Sequence, residues 1–405
     1  MTLFRSGRDT SRRPLATVRL RFQFAHGPLP LMIPLLARPS SLQTTLFTLV
    51  AHCLLQNSSL ANEPIKSAGS WVKKGYHSSE LFDPLNPGLE PERPEWAPHS
   101  LAWPVTFEDP QHTIGNSMAE FQSYGSGPYF HGGCDLRVAA RAKVTSPVSG
   151  RIEAGHYGYS NQTDGSMKKW WKPWPASGDA TYFEIAVITE DGYRFEFHHM
   201  DKKKIAPEVL KLLQAGNAAG IIQAGSLIGD TIPWGDGVYH HAHYNIITPS
   251  GVRLNPEFYS ELIEDEVAPE IRRVLALSGE KIADFGNGSF KQPPDAFVIA
   301  TTDRLGETVY DHPPVYVAFT AANGTFSAWD FRERLVAPNG QFPGIWNFFV
   351  ESIRTPDGKR LATEGGYGKG VSVIRLPVPK GARGPFTIEV SDVAGQSTQL
   401  TGTLE

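Results

Sequence analysis

Three short stretches of this 405-residue chain carry side chains that bind metals and move protons. In His131-Gly132-Gly133-Cys134-Asp135 an imidazole and a carboxylate stand four residues apart around two glycines, which allow a tight backbone path. His241-Ala242-His243 lies in an apparent strand, where alternation puts both imidazoles on one face and His240 and Tyr244 on the other. Phe197-His198-His199-Met200 closes the strand after the Asp191-Gly192 turn. There alternation lets one of the two histidines face the site without fixing which. An isolated H-x-H, or a His four residues from an Asp, arises by chance in many chains, and a lone His is more often a hydrogen-bonded core or surface residue than a ligand. Together, however, the three clusters gather six of the 13 His residues in one β region. They supply the His/His/carboxylate donors of a catalytic zinc site, with further imidazoles to spare.

The elements that must hold these residues read as mostly β. Short segments bounded by Gly and Pro alternate at Lys143–Val148, Arg151–Ala154, Tyr182–Thr189, Tyr193–His199, Ile221–Ala224, Ser226–Gly229 and His240–Thr248, the pattern of an antiparallel β domain over 126–260. Within it only Ala206–Ala215, with Val209, Leu210, Leu212 and Leu213, has helical spacing. Residues 62–125 are rich in Pro and polar side chains and read as a leader lying against that domain. A connector spans 261–292, its charged stretch Glu261–Leu277 reading as helix. Residues 293–405 carry strand candidates at Phe297–Ala300, Val315–Phe319, Ile345–Ile353, Val371–Leu376 and Phe386–Val390, spacing that suggests an immunoglobulin-like β-sandwich.

H-x-G-x-D, a later strand-end His, Gly225-Ser226-Leu227-Ile228-Gly229 and H-x-H, in that order, resemble the lysostaphin-like (LytM-type) zinc metalloendopeptidases, a family of peptidoglycan hydrolases. The likeness continues through Val144-Thr145-Ser146-Pro147-Val148-Ser149-Gly150 and ends in Leu254-Asn255-Pro256, covering roughly 101–260, a domain-sized length. It implies that His131, Asp135 and His243 hold Zn2+ and that His241 and the strand-end His form the catalytic pair. The family's Tyr-x-His-Leu aligns with Phe197-His198-His199-Met200 and selects His199. It further implies a peptide substrate in peptidoglycan cross-links or bridges, cut by zinc-activated water. Asn245 stands where the family often has Glu, and two insertions, Tyr157–Ala180 and Ala206–Ala215, flank the motifs. Tyr124 is a candidate oxyanion donor, Cys134 a packing residue, and Trp234 and the stretch Lys168–Trp174 candidates to line the groove. His112 and His156 read as ordinary surface or loop residues. Two other functions fit the pattern: an endopeptidase acting on a protein outside the cell wall, and a catalytically silent module that binds or regulates.

Composition narrows the partners. Net charge is −4, yet residues 1–61 carry seven Arg against Asp9 alone, so the remainder is near −10, which argues against a nucleic-acid partner. The apolar run Thr45–Leu55, followed by small Ser59 and Ala61, reads as an export signal cleaved before Asn62, and is too short for a membrane span of about 20 residues. The expected location is therefore periplasmic or extracellular, with no stable span after cleavage. Cys53 leaves with the signal, so Cys134 has no internal disulfide partner.

Overall fold

The computed structural model describes residues 94–405 apart from 108–112, 123–128, 162–166, 217–219, 236–238, 306–310, 336–344 and 365–369. The export segment, the proposed cleavage point, His112 and Tyr124 lie outside the described residues. No helix among those described is long and apolar enough to cross a membrane.

The chain is mostly β, with several antiparallel sheets. The sheet that matters most contains β1 (Ile114–Asn116), β2 (Cys134–Arg137), β3 (Arg151–Asn161), β4 (Met167–Pro173), β5 (Phe183–Ile188), β6 (Arg194–His198) and β7 (His241–Ile247), in the order β1-β2-β7-β6-β5-β3-β4. Alternation divides its central strands into two unlike faces. Phe195 and Phe197 of β6 and Ala242, Tyr244 and Ile246 of β7 are buried in the core, with Phe197 and Tyr244 stacked at 5.7 Å. The opposite face carries Asp135, Glu184, Arg194, Glu196, His198, His241, His243 and Asn245. Strand register lines these up: His243 pairs with Asp135 on one side and His198 on the other, and His198 pairs with Glu184.

The segment read as a leader is part of this fold from Pro94 onward. Trp96 packs edge-on against Tyr193 and Phe195, Leu101 bridges to Ser260, and β1 pairs with β2. Proline spacing disguised it, because its apolar residues act singly rather than in a periodic run. A helix at Pro207–Ala215 falls on the expected helical stretch.

Residues 261–277 are not helical: 261–269 form no regular element, and Glu270–Ser278 is a strand (β8) paired with β9 (Lys281–Asp284) and β10 (Ala296–Thr302). Its charges favoured the helical reading, but buried Val274, Leu275 and Ala276 need the partner strand. With β13 (Ser372–Pro377) these strands form a four-stranded sheet. A five-stranded sheet holds β11 (Tyr316–Ala321), β12 (Phe326–Asp330), β14 (Gly384–Ser391), β15 (Ser397–Leu404) and the short Ser289–Phe290. The two sheets meet through Phe297, Phe319 and Phe386, at centroid distances of 5.3–6.1 Å, as a β-sandwich. Residues 345–348, read as part of a strand, form a helical turn whose Phe348 packs on Trp329 and Phe331. Arg253–Leu254 pairs with Arg334–Leu335, so the histidine-bearing sheet and the sandwich region share a ladder.

Candidate metal and catalytic site

The polar face of the first sheet is buried, which forces its polar atoms to find partners. His131, just before β2, directs Nδ1 at the Ser117 carbonyl at 2.9 Å, so that nitrogen carries the proton and Nε2 has a lone pair. His243 Nε2 donates to Asn245 Oδ1 at 2.9 Å, leaving the Nδ1 lone pair free. These lone pairs lie 3.0 Å from each other and 3.3 and 2.8 Å from Asp135 Oδ1. Two imidazole lone pairs and a carboxylate oxygen within 4.8 Å, in a buried pocket, repel one another unless a proton or a cation sits among them. Burial disfavours charge on His131, yet Asp135 overrides it and raises the pKa. Asp135 is held well below the carboxylate range by His131 and His241 despite its own burial. The pocket therefore attracts positive charge. Its two nitrogens and one oxygen are the donor set zinc accepts, and the residues fit that ion.

Outside this trio stand two more imidazoles. His199 donates Nδ1–H to the Thr181 carbonyl at 2.7 Å, and His241 donates Nδ1–H to the Tyr239 carbonyl at 3.0 Å, so each directs a bare Nε2 away from that anchor. The rings are 4.9 Å apart. Trp234 stacks on His241 at 4.5 Å and meets His199 edge-on at 4.6 Å. Burial, with His241 beside it, holds His199 well below the usual histidine range, so it stays neutral and basic in mildly acidic water.

Strand alternation led to the expectation that only one of His198 and His199 faces the site. Both do. His199 has φ +60°, a left-handed conformation rare outside Gly, at the kink between β6 and the next strand, and this breaks the alternation. His198 keeps its place in β6, its ring 4.8 Å from His243 and its Nε2 3.0 Å and 3.2 Å from Glu196 and Glu184. Arg194 bonds to both of those glutamates and to Glu153, each at 2.7 Å. Glu184, Glu196 and His198 could also group around a metal, but Arg194 already supplies that cluster with positive charge.

Asn245, where a Glu was expected from the resemblance, links these groups. Its Oδ1 accepts from His243 and from Arg253, and its Nδ2 donates to Glu196 Oε2 at 3.0 Å. Such a partner fixes the tautomer of a ligand imidazole, and Asn serves as well as a carboxylate here. The two glycines of the first motif are required by space: a Cβ on Gly132 would meet Arg253 at 2.2 Å and one on Gly133 would meet Asn245 Oδ1 at 2.1 Å.

Tyr239 escaped the sequence reading. Its hydroxyl donates to Asn116 and lies 3.3 Å from Asp135 Oδ2, while Arg137 covers its ring. The signal was present, since Tyr239 precedes His241 by two residues, but a Tyr at that spacing is unremarkable without its partners. Cys134 is fully buried with its thiol 3.4 Å from Glu257, away from the trio. His156 is not a surface residue: it is buried in β3, with Nδ1 at the Asp179 carbonyl and its ring on Phe183. Of the aromatic insertion, Trp171 lies under Arg194 and Trp174 packs between Phe183 and Lys202, so both are engaged within the fold.

No family model matches the chain, and no curated protein matches it. Among solved structures it is similar to a chain of the SpoIIQ-SpoIIIAH pore forming complex, with TM-score 0.26 and 15% identity over 40% of this chain and 92% of that one. It is also similar to the antimicrobial peptidase lysostaphin from Staphylococcus simulans, with TM-score 0.21 and 15% identity over 72% of this chain and 90% of that one. These are weak likenesses, and the functional reading rests on the site.

Proposed function

We propose that this protein is an exported zinc metalloendopeptidase that hydrolyses peptide bonds, with peptidoglycan cross-links or bridges as its substrate. The observation that carries this reading is the convergence of His131 Nε2, His243 Nδ1 and Asp135 Oδ1 within 4.8 Å beside two anchored, basic imidazoles. His131, Asp135 and His243 hold the ion. When bound, it supplies Lewis acidity to a peptide carbonyl and makes a water acidic near neutral pH. His199 Nε2 takes the proton of the attacking water, a role its lowered pKa and fixed tautomer favour. His241 Nε2 is oriented toward the same pocket by the Tyr239 carbonyl and the stacked Trp234, and steadies the carbonyl oxygen as negative charge develops on it. Protonated His199 then returns its proton to the leaving amine. Tyr239 and Asn245 position Asp135 and His243. The choice of peptidoglycan comes from the resemblance of the motifs to the lysostaphin-like family, and the export reading agrees with a cell-wall substrate.

The test is to incubate the zinc-loaded chain with purified peptidoglycan and, separately, with a glycine-rich protein, and to read new amino termini by mass spectrometry. New termini from peptidoglycan, lost in His241→Ala, support the proposal. Cleavage of the protein alone moves the substrate outside the wall. Zinc binding without cleavage of either makes the chain a silent binding module.

A further inference from the structure

A second group of buried ligands lies far from the histidines, where the connector reaches the sandwich. Asp265 belongs to the connector, Asp303 directly follows β10 of the four-stranded sheet, and Asp392 directly follows β14 of the five-stranded sheet. Their exposures are 7%, 7% and 4%, and they offer oxygens that all lie within 4.8 Å of one another. Each carboxylate is oriented by a nearby amide: Val267 N to Asp265 at 3.0 Å, Arg304 N to Asp303 at 2.9 Å, Gln396 N to Asp392 at 2.8 Å. Asp392 Oδ2 is buried with no hydrogen-bond partner. An ionised carboxylate oxygen left bare in the interior costs free energy unless a cation meets it.

The neighbouring charges do not supply one. Burial weighs most on Asp303, followed by Asp392, Asp265 and Glu257, all of the same sign, and its pKa is pushed up to about 8. The contrast with Glu184 and Glu196 is direct, because those glutamates have Arg194 between them. The donors here are all oxygen, without nitrogen or sulfur, which selects a hard cation over zinc. Two oxygens bound to one calcium at 2.3–2.6 Å can be at most about 5 Å apart, a limit the cluster meets. Calcium also accepts the irregular geometry that three unrelated backbone segments provide, whereas magnesium demands a near-octahedral shell.

We propose that Asp265, Asp303 and Asp392 bind a calcium ion that ties the connector to both sheets of the sandwich. The ion would hold together the end of a strand from each sheet and the segment arriving from the histidine-bearing region. A direct cross-link already follows this path, from Gln396 Nε2 to the Asp265 carbonyl at 3.3 Å. The role is structural, and it does not depend on the chemistry proposed for the histidines.

The test uses the full chain, freed of metals and reloaded with one equivalent of zinc. Radioactive calcium in equilibrium dialysis measures binding, and thermal unfolding with and without calcium measures its consequence. The expected result is one calcium per chain and a Tm rise of roughly 5 °C at a hundredfold excess over Kd. Asp303→Asn and Asp392→Asn should abolish both effects while keeping zinc, and should melt no lower than wild type in calcium-free buffer, since each removes one of the crowded charges. His131→Ala should bind calcium like wild type, which separates this site from the histidine site. Wild type that binds no calcium at about 10 mM, tenfold above the weakest extracellular sites, overturns the proposal, and the cluster is then one that shares protons. Binding unchanged in both variants overturns it equally.

Discussion

The protein buries two clusters of would-be ligands, and they differ in what surrounds them. Around His131, Asp135 and His243, nearly every remaining polar atom is oriented by a neighbour: Ser117 sets one imidazole, Asn245 the other, and Tyr239 approaches the carboxylate. Around Asp265, Asp303 and Asp392 the support is local backbone, and one oxygen is bare. A site that does chemistry needs its lone pairs aimed, which takes side chains from several strands. A site that only ties segments together needs oxygens in reach, which loop backbone provides.

The largest effect expected from breaking this contrast is at the trio itself. His131→Ala should lose both the ion and measurable hydrolysis, checked by metal content and by release of amino termini. Next in size, His199→Ala should keep the ion and lower kcat by roughly 10²–10⁴, the usual worth of a general base. Asn245→Ala leaves the His243 Nε2 proton unpaired and should weaken zinc binding about 10–100-fold in a competition with a chromophoric chelator.

A pH series sharpens the distinction further. Burial lowers His199, and it lowers His243 to about 3. A histidine whose folded pKa is depressed contributes stability that is complete above the unfolded value of about 6.5 and is lost as pH falls toward the folded one. Metal-free protein should therefore lose Tm progressively below pH 6.5, and His199→Gln should flatten part of that loss. In the zinc-loaded enzyme the acid limb of kcat should lie below pH 6.5, since the base stays neutral there. Smallest of all, Asp303→Asn should leave kcat on a short peptide unchanged within error, because the acid cluster takes no part in the chemistry.

How much of this was legible depended on sequence distance. His131 and Asp135 are four residues apart and His241 and His243 two, so local spacing exposed them, and strand alternation predicted the shared face of the H-x-H pair. Alternation then failed at His199, where one left-handed residue turned a second ring into the site. Asn245 was visible as a departure, but its bonds to Glu196 and Arg253 depend on a register that only the paired strands define. The acid cluster could not be read at all, since its members are 38 and 89 residues apart and meet through the packing of two sheets. Strands with buried alternating residues, such as Phe183–Ile188, were found near their true limits. The region 261–277 was misread because its helical charge pattern competes with a strand that gains stability only from its partners.

The central assignment is tested most directly by counting metal in the purified full chain and in its His243→Ala and His199→Ala variants under identical conditions. The prediction is about one zinc per chain in wild type and in His199→Ala, none in His243→Ala, and hydrolysis only in wild type. Zinc retained in His243→Ala, or wild type that holds no zinc when the ion is supplied, would contradict it.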